Sequence, residues 1–471
     1  MDEAATSRLP AGADRGAPPP RDAAPIARRH PQRNGRRKRR RQLKRPSRRT
    51  DKERVTRLRL RDHGTALAFA ALGVWAMSFV ALYGFGWNDY STEVRPAYDA
   101  LVSGHVWQFL QLDPGYGGSL ELRAPFALLP GLWGGHEVAV YQLVSIPCLI
   151  AAALLGVWLL AQMRALGRNR LARATTLALC VANPVTLYAL QLGHAEELLG
   201  AALCVAAVLA AQRGHVSWSA VLLGLAIVNK QWALLAVGPV LVALPARRLR
   251  ALAITGAVAL LFYVPLWLSA YAGHSATAGG ALAGSSGGTI FQPWQLWWFL
   301  GSHGQIVRDS FGAIKVGYRT PPAWIQTIDH PLVVLLGVPV TLLAVRRGRR
   351  SVDAMLLLAL LMAIRFAFDT WDTVYYPLPF IFALIAWESL ERRRPAVLSL
   401  AASVAVWLVF VVVPEHASAD AQSAAFLLFA VPTLLALGRA VLAPQRPLRG
   451  PARTSPWRRS SPPAGAPIST M

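Results

Sequence analysis

VAVYQLVSIPCLIAAALLGVWLLAQM, residues 138–163, decides the fold. It contains no charged residue, and a helix crosses the hydrocarbon core of a bilayer with roughly 20 apolar residues. Residues 65–86, 252–271 and 396–413 are uncharged apolar stretches of the same kind. Lipid offers backbone N–H and C=O groups no partner, so each stretch is predicted to be a helix that closes its own hydrogen bonds. Over its 471 residues the chain is 54% hydrophobic and 15% charged, a balance that excludes an ordinary soluble domain. The fold class expected is all-α, a polytopic transmembrane helical bundle of about 10–12 spans.

The formal net charge of +25 is concentrated in the two tails and in short loops between apolar runs. Residues 1–62 are rich in Pro and Arg, with Arg36-Arg37-Lys38-Arg39-Arg40-Arg41 at their centre, and carry too few apolar side chains to build a core. They read as a disordered cytoplasmic tail against anionic lipid, not as a nucleic-acid binder. The first apolar run is too long and too far from the N-terminus for a cleaved leader. Cys148, Cys180 and Cys204 all fall inside predicted helices, scattered and odd in number. They are read as small packing residues, with no disulfide framework and no metal site.

Basic loops stay on the cytoplasmic side, which allows the chain to be threaded one crossing at a time. With the N-terminal tail inside, the clusters Arg164-to-Arg173, Arg213, Arg247-to-Arg250, Arg346-to-Arg350 and Arg392-to-Arg394 all return inside. This requires 218–244 to be a hairpin of two short helices turning near Asn229-Lys230-Gln231. A single broken helix is the alternative, and it places the next basic cluster on the wrong side. Both termini are then cytoplasmic, with a second disordered tail at 444–471 and two long outer loops at 87–137 and 272–330. Most acidic residues outside the tail fall in outer segments, which places any chemistry there.

Four outer constellations stand out. The first is Gly86-Trp87-Asn88-Asp89-Tyr90 with Glu93, where a carboxylate at a helix mouth is suited to general-base work; the plain alternative is a hydrated Asn-Asp turn. The second is Gln191 to Glu197, in which His194 and Glu196 offer hydrogen bonds to sugar hydroxyls, or in which Glu196 and Glu197 simply complement a helix dipole. The third is Lys230, a lysine at membrane depth that points to a buried partner such as phosphate, or that snorkels to the interface. The fourth joins Arg365, Asp369, Trp371, Asp372, Tyr375 and Tyr376. Arginine forks onto phosphate and aromatics stack on sugars, while an Arg365–Asp369 pair at helical spacing is the structural alternative. The second outer loop adds Trp294, Trp297, Trp298, Arg308, Lys315 and Arg319, and its Gly-Ser stretch 279–288 is either a lid or a linker. No phosphate-binding P-loop, dinucleotide fingerprint or paired metal spacing occurs.

Taken in order, these segments resemble the polyprenyl-phosphate-dependent glycosyltransferases of the multi-spanning C superfamily, and most closely glycosyltransferase family 87, the mannosyltransferase-like group. Asp89-Tyr90 through Ala97, Ala100 and Gly104 resembles that family's first outer loop. Pro125-Phe126-Ala127-Leu128-Leu129 resembles its entry to the second helix, and Gly224 to Lys230 its Gly-Leu-Ala to Lys segment. Gly193-His194 departs from it, standing where Gly-Gln is usual. The resemblance covers residues 65–387. It implies an inverting transfer of a mannose-like sugar from a polyprenyl-phosphate donor to a lipid, glycan or protein acceptor. It also implies Asp89 as the base, and neither cofactor nor metal. Lys230, Arg365 and Arg123 are then the candidates for the donor phosphate, and Glu93, His194, Glu196, Trp371, Asp372 and Tyr375 for sugar or acceptor. The rival expectation is a transporter or lipid flippase, which normally carries internal repeats and polar groups at the bilayer midplane.

Overall fold

The computed structural model describes residues 48–83, 89–112, 117–130, 137–272, 291–303, 307–308, 314–347 and 353–443. The expected tails at 1–47 and 444–471 and the Gly-Ser stretch 279–288 lie outside the described residues. The chain divides into two units, Met1–Arg57 and Leu58–Met471, and the helical bundle belongs to the second.

The all-α transmembrane class holds. In chain order the helices are α1 (Arg48–Leu82), a π-turn (Tyr90–Val94), α2 (Arg95–Val102), α3 (Val106–Leu112), α4 (Ser119–Ala127) and α5 (Glu137–Ala165). Next come α6 (Arg170–Ala182), α7 (Pro184–Gln191), α8 (Glu196–Gln212), α9 (Val216–Asn229), α10 (Val237–Ala243) and α11 (Arg248–Ala272). The last are α12 (Ala323–Arg346), α13 (Ala354–Phe368), α14 (Leu378–Glu391), α15 (Val397–Trp407), α16 (Val413–His416) and α17 (Ala419–Leu442). Two two-residue strands, β1 (Val307–Arg308) and β2 (Ile314–Lys315), pair antiparallel. Among the described residues, six segments are long and apolar enough to cross a membrane: Gly64–Leu82, Val138–Ala165, Arg248–Ala272, Thr327–Arg346, Val397–His416 and Ala419–Leu442.

Burial sorts these elements into two shells. Helices α8, α13 and α14 are buried almost all round, whereas α11, α12 and α17 turn Leu260, Leu261, Leu335, Leu342, Leu428 and Leu435 outward. An apolar outer face is what a helix in lipid presents, because association there is driven by packing rather than by removal of water. Small residues let the inner helices close up: a Cβ at Gly200 of α8 would come within 2.9 Å of both Asn229 and Trp232.

Breaks in the helices have local causes. Asn183 ends α6 and caps α7, its Oδ1 accepting from the Thr186 amide at 3.0 Å, with Pro184 in the first helical position. At Lys230 the backbone is extended (φ −155°, ψ 131°), which stops α9. The chain then returns through a short 3₁₀ turn, Gln231–Ala236, and α10, and Pro245 comes back to within 4.0 Å of a Cβ placed at Gly214. Residues 216–245 therefore form the hairpin that the charge pattern requires, with Lys230 at its tip and both legs along α8.

Three expectations are corrected. The segment 48–62, expected to be disordered, is helical, with ten of its fifteen residues Arg, Lys, Glu or Leu, all good helix formers. Residues 89–112 and 117–130, expected within an outer loop, are largely helical. Tyr90, Val94, Ala97, Tyr98 and Leu101 are all buried, and their helical spacing lays the π-turn and α2 on the bundle. The second outer loop ends earlier than expected, because α12 begins at Ala323 and takes in Asp329 and His330.

Candidate active site

Residues from six segments meet at one end of the bundle. The turn between α7 and α8 carries His194, and Gly193 before it has φ +94°, a region that favours glycine. A Cβ there would lie 2.9 Å from both the backbone N and the Cβ of Tyr90. This close approach sets Asp89 beside His194, whose Nε2 lies 2.8 Å from Asp89 Oδ2 and whose Nδ1 lies 2.8 Å from Glu196 Oε1. The ring of Tyr375 stacks on the imidazole with centroids 4.0 Å apart.

Glu196 and Glu197 open α8, and successive positions on a helix point about 100° apart. They consequently serve different arginines and share Lys230. Glu196 takes Arg123 at 3.4 Å and Lys230 at 3.3 Å. Glu197 takes both terminal nitrogens of Arg365 at 3.3 Å, the Trp232 indole N–H at 3.2 Å and Lys230 at 3.9 Å. Arg365 lies over the rings of Trp232 and Tyr376, 4.6 and 4.3 Å from their centroids, and donates to the Tyr376 carbonyl. Asn229 ties the hairpin tip to α8 by donating to the Glu196 carbonyl at 2.9 Å.

The cluster mixes buried charges of both signs. Burial and the neighbouring Asp89 push the Glu93 carboxyl up to about 7, so at neutral pH it carries only part of a charge. Burial alone would lower the His194 imidazole, but Glu196 and the hydrogen bonds to Asp89 and Glu196 push it up to about 9, against Lys230. Four cations, Arg123, His194, Lys230 and Arg365, therefore face three other carboxylates, Asp89, Glu196 and Glu197.

A second group adjoins the first. His330 on α12 sits 3.4 Å from Asp369 and 3.4 Å from Asp329, and Thr370 donates to Asp329. Burial would raise the Asp369 carboxyl, but His330 and Arg365 hold it below the usual range. The partly exposed Trp371 donates its amide to Asp369 at 2.9 Å and meets His330 edge-on. Asp372 is fully buried, and neither of its carboxylate oxygens has a hydrogen-bond partner among the described residues. Burial first, and Asp369 second, push its carboxyl well above the usual range, towards the protonated form.

Asp89, Glu93, Arg123, His194, Glu196, Lys230, Arg365, Trp371, Asp372 and Tyr375 thus fall in or beside one cluster. Glu196 is 1% exposed, with Oε1 on His194 and Lys230 and Oε2 on Arg123, so it organises the site instead of touching a sugar. His194 has both ring nitrogens on carboxylates and is likewise not a free sugar contact. Arg123 is 1% exposed and donates to the Ser119 carbonyl and hydroxyl, so it stands behind Glu196. The expected Arg365–Asp369 pair is not made. Helix α13 stops at Phe368, Asp369 is extended (ψ 127°), and its side chain leaves the helix face. Arg319 leaves the site altogether, binding Asp420 at the start of α17, and the side chains of Arg308 and Lys315 lie outside the described residues. Glu197 and Tyr376, already named in the outer constellations, join the site, whereas Trp232 and His330 were missed. Trp232 is a sequence neighbour of the candidate Lys230, which is a usable signal, while His330 offered none. No protein-family model matches the sequence, and no curated protein does either.

Proposed function

We propose that this chain is a membrane glycosyltransferase that moves a mannose-like sugar from a polyprenyl-phosphate donor to a hydroxyl of a lipid, glycan or protein acceptor. The observation that carries the reading is the placement of a fixed carboxylate beside several buried cations. Asp89 Oδ2 is held by His194 at 2.8 Å, its Oδ1 meets no partner among the described residues, and the Lys230 and Arg365 cations lie in the same cluster. Asp89 Oδ1 takes the proton of the acceptor hydroxyl as that oxygen bonds to the anomeric carbon, and the carbon–phosphate oxygen bond breaks with its electron pair leaving on the phosphate. One base acting opposite one leaving group inverts the anomeric centre. Lys230 and Arg365 stabilise the phosphate as its charge grows, with Arg123 supporting them through Glu196.

Residues left for the sugar and acceptor are Glu93, Asp372, Trp371 and Tyr375. Asp372, whose buried carboxyl is pushed towards the protonated form, is suited to donate to a sugar oxygen. The site is assigned to the extracytoplasmic face of a cell membrane with both termini cytoplasmic. The clustering of Arg168, Arg213, Arg247 and Arg392 at turns on the opposite end of the helices supports this placement.

The test is transfer of labelled sugar from polyprenyl-phosphate mannose in membranes carrying wild type or Asp89→Asn at equal protein level. The amide keeps the shape but cannot take the proton, so a loss on the order of 100-fold or more is expected. Equal product from both overturns the assignment of the base. No product from either, with a lipid moved unchanged across the bilayer, favours a flippase.

A further inference from the structure

Both ring nitrogens of His194 face carboxylate oxygens at 2.8 Å, Asp89 on one side and Glu196 on the other. A neutral imidazole has one N–H and one lone pair, so whichever nitrogen lacked the proton would set its lone pair against an anionic oxygen. Only the doubly protonated ring donates in both directions. The ring is 3% exposed and pressed under Tyr375, so water cannot substitute for the missing donor.

We propose that His194 is the positioning residue for the base: as an imidazolium it locks Asp89 Oδ2 to Glu196, leaving Asp89 Oδ1 as the single oxygen open to an acceptor hydroxyl. This rests on the transferase reading for its kinetic consequence but not for its protonation. Several groups face the ring. Asp89 comes from the segment before the π-turn, Glu93 from the π-turn, Glu196 from α8, Lys230 from the hairpin tip and Tyr375 from the turn before α14. The carboxylates outweigh Lys230, and Glu196 is itself fixed by Arg123 and Lys230. The clamp therefore extends from Asp89 through His194 and Glu196 to α4 and the hairpin tip, tying the base to two separate parts of the bundle.

His194 works in its protonated form, whose affinity for the proton is raised, so the clamp is intact at neutral pH and is lost as pH rises through about 9. Sugar transfer by the full-length protein in nanodiscs is expected to show an alkaline limb near that pH. His194→Gln keeps a neutral donor to Asp89 but cannot lose a proton. It should abolish the limb and lower kcat on the order of 10- to 100-fold with the donor KM little changed. A wild-type kcat in the variant, or the same limb in both, overturns the proposal. Histidine ¹⁵N NMR on the wild type reads the protonation independently of transfer. The His194 signals, assigned by their loss in His194→Gln or by their shift in Asp89→Asn, should be those of an imidazolium at pH 8. A neutral ring there overturns the proposal even if transfer is found, whereas an imidazolium with no transfer by wild type refutes the transferase reading alone.

Discussion

Arg365 with Glu197 and Arg319 with Asp420 are both forked pairs made by a buried arginine, yet only the first has a buried carboxylate. The second is the tighter, at 2.7 and 2.8 Å against 3.3 Å for both contacts of the first. Its Asp420 side chain is 40% exposed, whereas that of Glu197 is 1% exposed. Asp420 also accepts from the Trp298 indole, so the pair fastens the segment 291–320 to the start of α17. Glu197 instead balances Arg365 and Lys230 together in the middle of the bundle. Length ranks these pairs one way and the cost of breaking them the other. Losing one member of a buried pair strands a charge that water cannot reach, and this costs about 3–5 kcal/mol, against about 0–1 kcal/mol for an exposed pair.

Three substitutions test that ranking, the largest first. Glu197→Gln keeps the size but removes the charge that serves two buried cations. It is expected to lower stability by about 3–5 kcal/mol and to abolish transfer, as read by fluorescence-monitored thermal unfolding in detergent alongside the labelled-sugar assay. Arg319→Met leaves Asp420 with access to water, so global stability should fall by only about 1 kcal/mol. Its visible effect should be local, as faster amide hydrogen exchange across 291–303 and little change in α8. Arg95→Ala removes an i,i+4 pair with Asp99 whose side chains are 46% and 65% exposed; a change within about 0.5 kcal/mol is expected. If Arg319→Met proves as costly as Glu197→Gln, burial does not govern these pairs and the shorter contact matters more.

The same contrast explains the segment after residue 290. The expectation that its tryptophans and basic residues belong to the site places them on the right side of the chain but on the wrong partner. Trp297 donates to the Phe368 carbonyl at 2.8 Å, and the amides of Gln292 and Leu296 reach the carbonyls of Thr370 and Ala367. These contacts brace the end of α13, from which Arg365 projects, so the segment supports the cluster from outside it. Composition alone distinguishes neither role, because a tryptophan that stacks on a ligand and one that pins a loop look alike in sequence.

What the sequence determined by itself was whatever depends on local composition: uncharged runs long enough to be membrane helices, basic turns at one end, and a hairpin reversing at Asn229-Lys230. These follow from the exclusion of unpaired backbone and charge from lipid, which acts on each segment separately. The candidate residues were legible for the same reason, since a His, Lys or Arg beside an apolar run demands a partner. Only the tertiary structure decided which partner. Residues 89, 194, 196, 230 and 365 come from separate elements, and nothing in their spacing shows that Gly193 brings His194 against Asp89. Nor does it show that Glu196 and Glu197 divide their cations by pointing in different directions from one helical turn. It was long-range packing that set Glu196 against His194, Lys230 and Arg123, and that placed Asp369 beside His330.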